Sequence, residues 1–72
     1  MNNIFDKNGR PAPNGPLTYL YDEIMDKVAE FLKGYEGNMS YVELRATEAW
    51  LTSAINFTML GAYLRAEKNF KE

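Results

Sequence analysis

The sequence has no cysteine and no histidine among its 72 residues. Without Cys there is no disulfide staple and no thiolate ligand. Without His the chain lacks the commonest zinc ligand and the commonest general base. No Ser/Lys pair stands in a nucleophile motif either. No catalytic set can be named, so the expectation is a protein that is not an enzyme and carries no metal and no cofactor. Excess charge is also missing: 8 basic residues face 10 acidic ones, a net charge of −2. That leaves no basic footprint for a DNA or RNA polymer, although a few local Lys and Arg suffice for a compact anion. The opening MNNIFDKNGR has no positive region followed by an apolar run, so no signal peptide is expected. A cytoplasmic location is the matching expectation, because a Cys-free chain suits a reducing compartment.

Size turns these absences into a structural demand. One core in a chain this short rarely supplies more than ~3–5 kcal/mol. Small proteins add disulfides, a metal or a partner subunit. With the first two gone, self-association is the remaining staple, and a homo-oligomer (dimer to hexamer) is expected.

Breakers crowd the start. Residues 1–15 contain Pro11, Pro13 and the pairs Asn8-Gly9 and Asn14-Gly15, all turn signals. They read as an extended or disordered N-terminal arm ahead of a helical hairpin domain over 16–72, or as an arm that crosses onto a neighbouring subunit. From Pro16 the pattern turns helical. Pro suits the first helical turn, where its missing N–H costs nothing, and Asn14 or Gly15 is placed to cap. Leu17, Leu20, Tyr21, Ile24, Val28, Phe31, Leu32 and Tyr35 recur at helical spacing and make one apolar face. The row Asp22, Asp26 and Glu30, with Lys27 and Lys33 nearby, reads as a solvated face and not as an acid/base pair. Gly34 and Gly37 are expected to end this helix in the left-handed conformation. They lack the strand context a phosphate loop needs.

Ser40-Tyr41-Val42-Glu43 is a capping box and opens the second helix. The expected architecture is all-α: a helical hairpin with a shorter helix at about 16–34 and a long one at about 40–69, assembling into a helical-bundle homo-oligomer. Residues 49–64 of the long helix carry no charge. Trp50, Leu51, Ile55, Phe57, Met59, Leu60, Tyr63 and Leu64 point to nearly every side, and a helix apolar all round is buried all round. The run spans ~24 Å against the ~30 Å of a bilayer core, and Asn56 at mid-depth would be costly there. Burial by protein, not membrane, is therefore expected. At about 100° per residue, Arg45, Glu48, Thr52, Asn56 and Tyr63 form one stripe. Thr47, Ala54, Thr58, Gly61 and Arg65 form another opposite it. The second stripe is either a close helix crossing or the floor of a groove between subunits. Trp50, Ala54, Phe57, Gly61 and Leu64 are the expected oligomer contacts.

Residues 49–66, AWLTSAINFTMLGAYLRA, have Thr58 in mid-helix, then the small/apolar Met59-Leu60-Gly61, then Ala62-Tyr63-Leu64-Arg65-Ala66. This segment resembles the long C-terminal helix of the phage anti-CBASS cyclic-oligonucleotide sponges, which share a helical hairpin with a Thoeris anti-defence protein. Glu67-Lys68-Asn69-Phe70 stands where that pattern has a proline. The resemblance implies compact oligomers, hexamers among them. It also implies cyclic di- or trinucleotide immune signals held between subunits without cleavage, so that host antiphage signalling starves. By carry-over Arg65 and Thr58 are the ligand residues. Lys27, Tyr19 and Tyr21 join them on chemistry alone, a cation for phosphate and aromatics for bases. The alternative reading is a small helical protein that binds and inhibits or scaffolds another protein.

Overall fold

A computed structural model describes residues 4–70. Two helices account for most of them: α1, Pro16–Tyr35, and α2, Tyr41–Phe70. A short 3₁₀ turn, Glu36–Asn38, comes between. Among the described residues there is no strand, only an isolated antiparallel bridge between Phe5 and Pro11. The chain divides into two units, Met1–Asn38 and Met39–Glu72.

Of the stretch 1–15, read from the sequence as an extended or disordered arm, residues 1–3 lie outside the described residues, and residues 4–12 form a hydrogen-bonded loop. Asp6 organises it. Its carboxylate Oδ1 accepts the N–H groups of Asn8 (2.9 Å) and Arg10 (3.0 Å). Its carbonyl accepts the Gly9 N–H at 3.0 Å, and its own N–H donates to the Arg10 carbonyl at 2.7 Å. Ala12 N–H returns to the Ile4 carbonyl at 2.9 Å. This is an Asx-type turn closed by a two-residue return. It needs a residue in the left-handed region, and Gly9, at φ 82°, supplies it at little cost.

Asn14 is also left-handed, at φ 59°, and so does not cap α1. Gly15 takes the cap position in extended conformation with no side-chain bond. Pro16 follows in the first turn. Thr18 ties loop to helix, its hydroxyl donating to the carbonyls of Gly15 (2.8 Å) and Ala12 (3.2 Å). Apolar residues gather on one side of α1, where Phe31 and Tyr35 stack with ring centres 4.8 Å apart.

The end of α1 corrects a sequence expectation. Neither Gly34 nor Gly37 has positive φ; among glycines only Gly9 does. Gly34 lies inside the helix. The cap is Glu36, in right-handed geometry (φ −62°, ψ −28°), with its N–H on the Leu32 carbonyl. The chain tightens into a 3₁₀ turn there and makes no left-handed exit.

The second unit is α2. Its start follows the capping box: Glu43 N–H donates to Ser40 Oγ at 3.1 Å, and Ser40 N–H to Glu43 Oε1 at 2.8 Å. Two of the four orphan donors of the first turn are thereby satisfied. Thirty residues at ~1.5 Å each make a rod of ~45 Å. Its apolar residues, unlike those of α1, favour no single side. No large hydrophobic side chain among the described residues is buried. Trp50 and Phe57 are the most exposed, at 78% and 79%.

Candidate functional site

Because the apolar residues of α2 have no preferred side, their arrangement must be read around the circumference. At about 100° per residue they fall into two opposed bands. Ala46, Trp50, Phe57, Leu60 and Leu64 make one, with Ser53 at its edge. Leu44, Leu51, Ile55, Met59 and Ala62 make the other. Two narrower strips separate the bands, and the expected ligand residues of α2, Thr58 and Arg65, belong to one of them.

One strip holds Thr58, Gly61 and Arg65, successive turns on one face. The Arg65 guanidinium folds back along the helix: a methyl group built on Gly61 would lie 3.3 Å from Arg65 Nη1. Gly61 thus gives the cation room to lie close to the backbone. Thr58 is placed one turn earlier, with its hydroxyl already engaged. Its Oγ1 donates to the Ala54 carbonyl at 2.8 Å, a return bond to the helix's own backbone. A phosphate oxygen accepts hydrogen bonds and cannot donate them, so Thr58 as it stands does not serve a phosphate. It offers a hydroxyl oxygen that accepts. Thr47 and Ser53 are committed in the same way, to the carbonyls of Glu43 (2.9 Å) and Trp50 (2.7 Å).

The opposite strip is where sequence reading named residues without assigning them a role. Arg45, Glu48, Ala49, Thr52, Ser53 and Asn56 line a shallow depression on it. Arg45 Nε and Glu48 Oε1 are 3.8 Å apart and exposed, a pair worth ~0–1 kcal/mol. Thr52 and Asn56 are the uncharged polar residues here that do not bond back to the helix backbone, among the described residues. The signal for them was the interruption of a largely apolar run by a hydroxyl and an amide.

On α1 the expected ligand residues do not converge. Tyr19 and Tyr21 lie about 160° apart around the helix axis, so no one ligand meets both on a single copy. Tyr21 borders the apolar face. Tyr19 stands a turn from Asp22 and Glu23, with Asp26 and Glu30 further along the same side, where carboxylates repel an anion. Lys27 lies with Leu20, Glu23, Ile24 and Val28 around a second shallow depression, mostly apolar.

Among the described residues no group of three carboxylates is placed to hold a metal ion. No described helix is long and apolar enough to cross a membrane. The chain matches no protein-family model, no curated protein and no solved structure.

Proposed function

We propose that the chain is a non-catalytic binding protein that assembles through α2 and sequesters a cyclic di- or trinucleotide, an immune signal, between its subunits. The observation that carries this reading is the Arg65 guanidinium resting on Gly61, on the least bulky strip of a helix whose two apolar bands are unburied. Burying a band against another copy brings Arg65 into a recess walled by apolar side chains. There a guanidinium binds phosphate bidentately and is less screened than at an open surface. Thr58 accepts from a base amine or a ribose hydroxyl and leaves the phosphate to Arg65. α1 has one apolar face, so it matches at most one band of α2 and a partner is needed for the other. The hairpin, the oligomer, its cytoplasmic setting and the anti-defence role belong to the same reading, which draws on the resemblance of residues 49–66 to the sponge family.

A thermal-shift panel of cyclic di- and trinucleotides, with linear dinucleotides as controls, tests it. Ligand at about 100 times Kd adds ~2.7 kcal/mol per site. The expected result is an upward shift with cyclic compounds only, abolished by Arg65→Ala while the native mass persists. No shift across the panel rejects sequestration. The exposed Trp50 and Phe57 favour a second reading, a small helical protein that binds another protein and blocks or scaffolds it. It predicts no response to nucleotides.

A further inference from the structure

The band Ala46, Trp50, Ser53, Phe57, Leu60 and Leu64 advances by 4, 3, 4, 3 and 4 residues. That alternation defines a coiled-coil seam. It includes the two most exposed large hydrophobics of the described chain. We propose that this seam packs against the same seam of a second copy, antiparallel, with the twofold axis close to residues 55 and 56. The inference rests on the self-association part of the proposed function and adds its geometry.

Three features of α2 fix the direction and register. The first is size. Antiparallel pairing with residue numbers summing to about 110 sets Ala46 against the second copy's Leu64, Trp50 against its Leu60 and Ser53 against its Phe57. Each layer joins a larger side chain to a smaller one, so the layers fill evenly.

The second feature is charge. An antiparallel pair brings like flanks of the two helices together. On one flank Glu43 then meets Lys68 of the other copy. On the other flank Arg45 meets its Glu67. Both contacts fall within two residues of the register that the seam requires. A parallel pair brings unlike flanks together and sets Glu43 level with Arg45 of the other copy, so charge fits the antiparallel register while the choice of direction rests on the size layers. The antiparallel arrangement also opposes the two helix dipoles favourably.

The third feature is the amide. Asn56 sits on the flank that carries Arg45 and Glu67, and the same register brings it next to its own copy, where two amides can exchange hydrogen bonds. In area, a Trp and a Phe at ~150–250 Å² each, with the aliphatic residues, give on the order of 600–800 Å² per copy. A stable interface buries ~800 Å² per partner.

Because the chain has no cysteine, single thiols report the geometry directly. Asn56→Cys, Arg45→Cys and Glu67→Cys are exposed-side substitutions of the full chain, each treated with a short bis-maleimide. Asn56→Cys should cross-link to itself. Arg45→Cys and Glu67→Cys should not, since like positions lie about 33 Å apart along the pair, but the two refolded together should form a mixed dimer. Self-cross-linking of Arg45→Cys would exclude this antiparallel register and overturn the proposal. So would a native chain that sediments as a monomer and gives no cross-link, which would leave the seam to another occupant. The nucleotide panel is read separately. The cross-link pattern without a nucleotide response keeps this geometry and removes sequestration, and an oligomer with a different pattern does the reverse.

Discussion

α1 and α2 use the same kinds of residue to opposite ends. α1 separates them: aliphatic and aromatic side chains on one face, Asp22, Glu23, Asp26 and Glu30 on the other. α2 places charge at its two ends and leaves residues 49–64 with none. The apolar residues of α2 show no net direction because two opposed bands cancel, not because they are scattered. A one-sided helix needs one neighbour, and a two-banded helix needs two. Among the described residues of a single copy no large hydrophobic is buried, so α2 is the element whose stability depends most on what surrounds it.

The strongest way to break that contrast is to charge one side chain on each helix. Phe57→Asp puts a carboxylate in the seam and removes an aromatic. If the seam is buried in the assembly, the loss is about 3–5 kcal/mol per copy, and the oligomer should dissociate in sedimentation equilibrium. Tyr19→Asp, on the charged side of α1, should change stability by no more than about 0.5 kcal/mol and leave the mass alone. Equal behaviour of the two variants would remove the distinction between the helices.

The next effect is at the start of α2, where sequence and structure agree in mechanism. Ser40→Ala deletes the oxygen that accepts from Glu43 N–H. It should cost about 1 kcal/mol in urea denaturation. α1, capped by Gly15 without a side-chain bond, has no equivalent residue to lose, so Asn14→Ala should act only through its left-handed backbone.

Why some of this was legible and some was not is a matter of range. Helix periodicity and the capping box are set within four residues, and both helices lie within one or two residues of where the sequence places them. The two bands of α2 and the opposed positions of Tyr19 and Tyr21 also follow from 100° per residue. Hydroxyl partners do not. Whether Thr58 Oγ1 faces a ligand or returns to the Ala54 carbonyl depends on a rotamer that composition does not specify. The loop around Asp6 was hidden for a similar reason. Asn-Gly and Pro announce turns, but which carboxylate gathers which N–H groups depends on φ at Gly9.

A smaller effect separates two glycines that look alike in sequence. Gly34 is helical and has open space where a Cβ would stand. Gly34→Ala should therefore stabilise α1 by about 0.5–1 kcal/mol. Had Gly34 been a left-handed cap, the same change would destabilise. Gly9→Ala has equally open space but φ 82°, so it should cost about 1 kcal/mol. Opposite signs in thermal unfolding at matched concentration are the expected result. The same sign for both would mean that α1 ends at Gly34 after all.

The smallest effect tests whether the polar strip of α2 matters within one copy or only between copies. Arg45 and Glu48 stand 3.8 Å apart, with side chains 67% and 70% exposed. A solvated i, i+3 pair contributes a few tenths of a kcal/mol and weakens with salt. Glu48→Gln should therefore be nearly silent, within about 0.5 kcal/mol. Arg45→Glu loses the same local pair, but it also sets a carboxylate against Glu67 of the second copy in the antiparallel register. If Arg45 works only within its own helix, the two variants match at every protein concentration. If it faces a partner, Arg45→Glu alone shifts the equilibrium toward monomer, and high salt brings its association back toward that of the parent chain.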